Sequence, residues 1–362
     1  MRREIFRAGR AEALALLRRA PTVHLATTTP EGAPVLRALD AAVLDDGVWF
    51  HGARAGEKAR CLGRAAVVSA EELVAHLPSW MADPVRACPA TTLYRSVQAH
   101  GTLEELTDPA RKAEVLSALM ARWQPEGRYR PIRADDPLYA GELRGILVLG
   151  VRLGEALDGK WKLLQNRTPE QIGAALAGLW ARGAPGDVAA IEAVRAANPG
   201  APEPAFLAAG IPGVRLHVAL GEADAPAVVA LLAGEYWWEG EPAALAGPSH
   251  LASTAWVGAR DADGALVASA RAMADPRHAW IYDVVVAPAW RGRGLGKRLV
   301  ALLLDHPALR RTRFVRLVTR DAQGLYARFG FADAAGQRRS GTSTEMVLVR
   351  EVPAEAGGAD AA

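Results

Sequence analysis

Cysteine is nearly absent from this chain: its 362 residues include two, Cys61 and Cys88, with no metal-ligand spacing around them. That excludes a disulfide framework and a cysteine-built metal site, and it points to a reducing, cytoplasmic setting. Charge of one sign is lacking too, since 43 basic against 40 acidic residues leave a net +3. The arginines are scattered instead of striped, so no nucleic-acid partner is expected. No apolar run reaches the roughly 20 residues of a membrane span, and no membrane association is expected. The opening MRREIFRAGR leads into an amphipathic helix and lacks the apolar core of a signal peptide. No repeat relates the two halves. What remains is a half-hydrophobic, alanine- and glycine-rich chain, long enough for two or three domains.

The most informative stretch is VVVAPAWRGRGLGKRL, residues 284–299. An apolar strand, Val284 to Val286, runs through Pro288 into Arg291-Gly292-Arg293-Gly294-Leu295-Gly296. A helix with apolar Leu295, Leu299, Val300 and Leu303 follows. Glycines at a strand-to-helix turn let backbone N–H groups approach a ligand without a Cβ in the way. The helix N-terminus adds partial positive charge, which makes an anion cradle suited to a pyrophosphate. A P-loop is excluded, because Gly296-Lys297-Arg298 offers no hydroxyl for magnesium. A Rossmann turn is excluded by the spacing of Gly292, Gly294 and Gly296.

Arg291-x-x-Gly294-x-Gly296 resembles the R/Q-x-x-G-x-G/A signature of the GNAT superfamily of N-acetyltransferases. The flanks agree: a β-branched strand, Phe314 to Thr319, precedes Gly324-Leu325-Tyr326-Ala327-Arg328-Phe329-Gly330-Phe331. The resemblance spans about Val214 to Val352 and implies acetyl-CoA as co-substrate, with a small amine as acceptor. It implies contacts from Val284, Val286, Arg291, Arg293, Gly294, Leu295, Gly296 and Lys297 to acetyl-CoA. It also makes Tyr326 the acid that protonates the departing thiolate. Asp283 reads either as a base acting through water or as a strand-edge carboxylate. No metal is required. Upstream, Trp256 to Ala259 and Ala265 to Met273 read as strands, and a helix capped by Asp224 is expected over Ala225 to Tyr236. Its end, Glu235-Tyr236-Trp237-Trp238, reads as the wall of an acceptor pocket or as core packing.

The first half opens with a helix, Arg10 to Arg19. Short strand-like runs follow at Val23 to Thr28, Pro34 to Leu39, Val48 to His51, Val97 to Leu106 and Gly145 to Leu153. Helices are expected over Pro109 to Trp123, from Pro169 after Thr168, and over Asp187 to Ala196. Together with His24-Leu25-Ala26-Thr27-Thr28, Gly32-Ala33-Pro34-Val35-Leu36-Arg37, Trp49-Phe50-His51-Gly52 and Gly56-Glu57-Lys58, this resembles the FMN-binding split barrels of the pyridoxamine-5′-phosphate oxidase type. The resemblance places Arg37 and Lys58 on the FMN phosphate, where two cations suit a dianion, and His51 beside the flavin. Gln165 and Arg167 read as cofactor or dimer-face residues, or as a helix-entry turn. Ala42 stands where the oxidases carry a lysine for their pyridoxal substrate, which argues against vitamin B6 synthesis; the segment resembles nitroimidazole-resistance relatives more. Haem or F420 are the alternatives to FMN among such relatives, and pairing of the barrels implies a homodimer.

The expected architecture is therefore α+β and α/β: a split barrel with helices over 1–198, a linker over 199–213, a GNAT mixed sheet flanked by helices over 214–352, and a disordered tail over 353–362. The expected function is N-acetyl transfer by the second half. The alternative is an FMN-dependent oxidoreductase, of nitroreductase or oxidase type, whose GNAT half is regulatory.

Overall fold

The computed structural model describes residues 4–83, 85–154, 157–339 and 343–351, and the tail expected over 353–362 lies outside them. Contacts divide the chain into two units: Met1–His76 with Thr92–Asn166, and Leu77–Thr91 with Arg167–Ala362. The composition places the first domain's end at residue 198, whereas residues from Arg167 onward cluster with the second unit. Polar contacts explain that. The indole N–H of Trp180 donates to Asp305 at 2.7 Å, and Arg310 donates to the Trp180 carbonyl at 2.8 Å. The Glu192 carboxylate accepts from the Val218 N–H at 2.7 Å. Among the described residues no helix is long and apolar enough to cross a membrane.

The first unit runs α1 (Arg10–Arg19), β1 (Val23–Thr28), β2 (Pro34–Leu39), β3 (Ala42–Leu44), β4 (Gly47–Gly52), α2 (Glu57–Arg60), β5 (Ala65–Leu77), β6 (Thr91–Leu106), α3 (Pro109–Trp123), α4 (Pro137–Gly145), β7 (Leu147–Arg152) and β8 (Asp158–Lys162). Helix α1 buries Ala13, Leu16 and Leu17, an i, i+3, i+4 stripe. In β1 every second residue, Val23, Leu25 and Thr27, is buried, as a strand with one core face requires. The sheet order is β2-β1-β5-β6-β7-β4-β3, with β8 on β6. Among the described residues its path has two ends and does not close on itself. The long β6 joins its parts, pairing β8 over Tyr94–Gln98 and β7 over Leu103–Leu106. Gly101 lies between the two pairings, where a Cβ would come within 2.7 Å of Val151 Cγ1; only glycine fits that approach.

The second unit comprises α5 (Pro169–Arg182), α6 (Asp187–Ala197), β9 (Arg215–His217), α7 (Ala225–Leu232), α8 (Ala243–Leu251), β10 (Ala255–Arg260), β11 (Leu266–Ala274), β12 (His278–Val286), α9 (Leu295–Asp305), β13 (Phe314–Thr319), α10 (Gln323–Ala327), β14 (Ala332–Arg339) and β15 (Ser343–Val349). Its sheet order is β14-β15-β13-β12-β11-β10-β9. All neighbours pair antiparallel except β12 and β13, which are parallel and linked through α9. Ala255–Ala259 and Leu266–Ala270 are buried at every position, so both faces of these strands are covered. Two local expectations are corrected. The helix expected to Tyr236 stops at Leu232, and Tyr236–Trp238 form a separate 3-10 turn after Gly234. Asp224 does not cap α7; its carboxylate accepts from the Gly221 N–H and pairs with Arg260.

Candidate active site

The glycine turn forms as its sequence implies. Gly292 and Gly294 adopt φ of +75° and +85°, the left-handed region that residues with a Cβ avoid. Gly294 is the residue before α9. The first hydrogen bond closing that helix runs from Arg298 N–H to the Gly294 carbonyl, so the amides of Leu295, Gly296 and Lys297 precede it and have no helical acceptor. They border a cavity of about 460 Å³, also lined by Val286, Lys297 and Arg328. Leu295 and Leu299 are buried and anchor the helix on the sheet. Arg293 lies over the Trp290 ring at 4.9 Å. The Arg291 side chain is already engaged, with Nε donating to the Val286 carbonyl at 2.9 Å and the guanidinium paired to Glu235. Three free amides, a helix N-terminus and cations at one opening fit a pyrophosphate.

A second cavity of about 1070 Å³ shares Val286, Gly296 and Leu325 with the first. It exists because β12 and β13 part. They pair only from His278 to Trp280 against Phe314 to Arg316. Beyond that, β12 continues along β11 to Val286, and β13 along β15 to Thr319. The backbone of Tyr282 to Val286 therefore has no sheet partner on its β13 side. Between Val285 and Tyr282 the register with β11 shifts; Asp283 and Val284 oppose Ala270 alone, a bulge with Asp283 at φ +52°.

Asp283 lines this cleft, yet its Oδ2 accepts from Arg271 Nε at 2.5 Å. His250 Nε2 stands 3.9 Å behind it. His250 Nδ1 bonds the Ala246 carbonyl at 2.8 Å, Nε2 makes no hydrogen bond, and burial pushes the imidazole below its usual range. Tyr326, on α10, is 7% exposed and meets Phe331 edge-on at 5.9 Å. Burial pushes its phenol up to about 12, and the neighbouring Tyr236 and Asp321 add to the rise. The protonated form therefore prevails at any physiological pH. Tyr236 and Trp237 line the same cleft, and the Tyr236 hydroxyl accepts from the Arg320 N–H at 3.2 Å. Arg271, His250 and the Glu235–Arg291 pair had no signal in the sequence, since each is defined by a long-range partner, and Asp321 had none because only the fold brings it to the cleft.

In the first unit, Arg37 on β2 pairs with Glu57 at 2.6 Å. Lys58 lies against Gly52, whose built Cβ would come within 3.3 Å of Lys58 Cε. His51 precedes that glycine and is exposed. Arg37 and Lys58 thus lie close to one another through Glu57, while His51, next to Gly52 on β4, alternates to the other face of the strand. Gln165 is spent on its own turn: it accepts from Leu163 N–H at 2.7 Å and donates to the Trp161 carbonyl at 2.8 Å. Arg167 falls in the second unit.

Comparison with known proteins follows the same division. The pyridoxamine 5′-phosphate oxidase family model matches residues 9–158, and the GNAT acetyltransferase family model matches residues 228–331. No curated protein matches the chain. Among solved structures, an FAD- and haem-binding protein from Mycobacterium smegmatis is 26% identical over 42% of this chain and 71% of its own, with a TM-score of 0.36. A GNAT-family N-acetyltransferase from Escherichia coli, solved in complex with CoA, is 26% identical over 38% and 81%, with a TM-score of 0.32. A GNAT-family protein from Xanthomonas campestris is 31% identical over 37% and 96%, with a TM-score of 0.32. The chain thus carries a pyridoxamine 5′-phosphate oxidase-like domain over residues 9–158 and a GNAT acetyltransferase domain over residues 228–331.

Proposed function

We propose that the second unit transfers an acetyl group from acetyl-CoA to a small amine, and that the first unit binds FMN. One observation carries the transferase reading. The free amides of Leu295 to Lys297 and the phenol of Tyr326 face connected cavities that meet where β12 parts from β13.

In this reading the amides of Leu295, Gly296 and Lys297, with the Lys297 ammonium, receive the pyrophosphate. The unpaired backbone of Val284 and Val286 takes the pantetheine arm as an added strand edge. The thioester then lies between the strands, beside Tyr326. The amine nitrogen bonds to the acetyl carbon as the carbon–sulfur bond breaks. Sulfur leaves with the electron pair and takes the Tyr326 proton. The incoming ammonium loses its proton through water to Asp283 Oδ1, while Oδ2 stays fixed by Arg271. The nitrogen's second proton, shed as the amide forms, returns to the Tyr326 phenolate, and Asp283 passes the first to solvent, so one proton is released overall. Calorimetry with acetyl-CoA tests the first step: micromolar or tighter binding is expected, and no binding ends the reading.

In the first unit Arg37 and Lys58 hold the phosphate, with His51 beside the ring system. Bound there, FMN supplies two-electron redox chemistry; these side chains only bind and orient it. The proposal includes a homodimer through this unit and a cytoplasmic setting. Native mass spectrometry of freshly purified protein tests both mass and ligand. A monomer that takes up no added FMN refutes this half.

A further inference from the structure

The cleft wall carries features that acetyl transfer alone does not require. Trp237 and Tyr282 leave 36% and 39% of their surfaces exposed, and with Trp280 they line the large cavity. Aromatic side chains of this size normally bury far more. Trp280 and Tyr282 are two apart on β12 and so share a face; their rings lie 6.3 Å apart at 23°. Arg271 backs the Tyr282 ring at 4.7 Å, and Arg320 holds Tyr236 at 3.4 Å from its ring centre. These contacts hold the rings in place, which lowers the entropy cost of binding against them.

Three carboxylates line the same cavity. Glu235 is paired with Arg291, and Asp283 with Arg271. Asp321 is exposed and, among the described residues, makes no hydrogen bond or ion pair. It lies close enough to Tyr326 for its charge to act on the phenol. An aromatic wall facing one unspent carboxylate beside the reacting group is complementary to a flat apolar body carrying an ammonium.

We propose that the acceptor is an arylalkylamine, its ring held against Trp280, Tyr282 and Trp237 and its ammonium drawn in by Asp321. This rests on the acetyltransferase reading and names its substrate class. Asp321 is then a specificity residue whose main effect is on acceptor binding, with a smaller effect on the chemical step through its charge on the Tyr326 phenol.

The test uses the full chain with saturating acetyl-CoA, following CoA thiol release. With 2-phenylethylamine as acceptor, kcat/KM should exceed that for n-hexylamine by about tenfold or more, since both carry the ammonium and one lacks the ring. Asp321→Asn should raise KM for 2-phenylethylamine by roughly tenfold, leave kcat within about threefold, and leave acetyl-CoA binding unchanged; Asp321→Glu should restore much of the loss. Trp237→Leu should narrow the preference between the two amines. Equal use of the amines, or an unchanged KM in Asp321→Asn, overturns the substrate class. Calorimetry with acetyl-CoA separates the two levels. Protein that binds acetyl-CoA but fails these arms loses the acceptor assignment alone, and protein that does not bind it loses the transferase reading as well.

Discussion

Replacing Tyr326 by phenylalanine deletes one hydroxyl and keeps the ring whose edge meets Phe331 at 5.9 Å, so the fold should survive. The size of the effect follows from the environment. Burial holds the phenol up to about 12. An ordinary thiol ionises near 8.5, so complete proton transfer to a solvated thiolate would be uphill by roughly 3.5 pK units, ~5 kcal/mol. The proton must therefore move as the carbon–sulfur bond breaks, inside the cleft, where the same desolvation that raises the phenol also raises the thiolate. A positioned general acid contributes about 10²- to 10⁴-fold. The mismatch puts Tyr326 near the lower end, so kcat should fall by about 100-fold, ~2.7 kcal/mol on the barrier. The sign of the pH dependence is also set. The acid is active when protonated, and a raised pKa extends that form upward, so the wild type should show no falling limb from this group until pH approaches 12. Thiol release gives kcat, and calorimetry gives acetyl-CoA affinity. A variant within threefold of wild-type kcat, or one whose loss is wholly weakened acetyl-CoA binding, would refute the acid role.

Other outcomes are equally specific. Glu57→Gln frees Arg37 from a half-exposed ion pair, so added FMN should bind a few-fold more tightly by flavin fluorescence quenching; weaker binding would contradict the phosphate site. His306 is 5% exposed, its Nδ1 accepts from the Ala308 N–H at 3.2 Å, and burial with Arg310 lowers its pKa to about 4. Its folded pKa lies below the unfolded value, so the stability it supports is present above about pH 6.5 and drains away as pH falls toward 4, by up to roughly 3 kcal/mol. Urea midpoints at pH 7, 5 and 4 should follow that fall, and His306→Gln should flatten it. Lys112 is buried on α3, and its ammonium donates to the carbonyls of Leu143 at 3.3 Å and Ile146 at 2.8 Å. Lys112→Ala strands those acceptors and opens a cavity, which should cost about 2–4 kcal/mol in urea unfolding; a change under 0.5 kcal/mol would show the site solvated.

Local signals were the legible ones. Helix α1, strands β1 and β2 and helix α3 have the bounds that their periodicity and turn residues imply. The glycine turn was readable because positive φ selects glycine within a few residues. Strand β5 was hidden, because Glu71 and Glu72 interrupt its apolar run, and Glu72 is tied to Arg19 and Arg95 from other elements. Helix α8 has no clear sequence signal, because Gly247 and Pro248, both poor helix formers, sit inside it. In the cleft, Tyr326 could be found from its neighbours in sequence. The state of Asp283 could not, since its bulge and its guanidinium partner are both set by β11 across the sheet. Arg291 shows the same limit, as its side chain bonds Glu235 some 56 residues away.

The parallel junction between β12 and β13 rests on three register pairs, while each strand is tied along its length to an antiparallel neighbour. Few backbone bonds hold the two flanks together there, so a guest bonded to both strands would brace them. Amides at Tyr282 to Val286 and Leu317 to Thr319 should therefore exchange with deuterium more slowly once acetyl-CoA is added, while the distant β9 and β10 keep their rates.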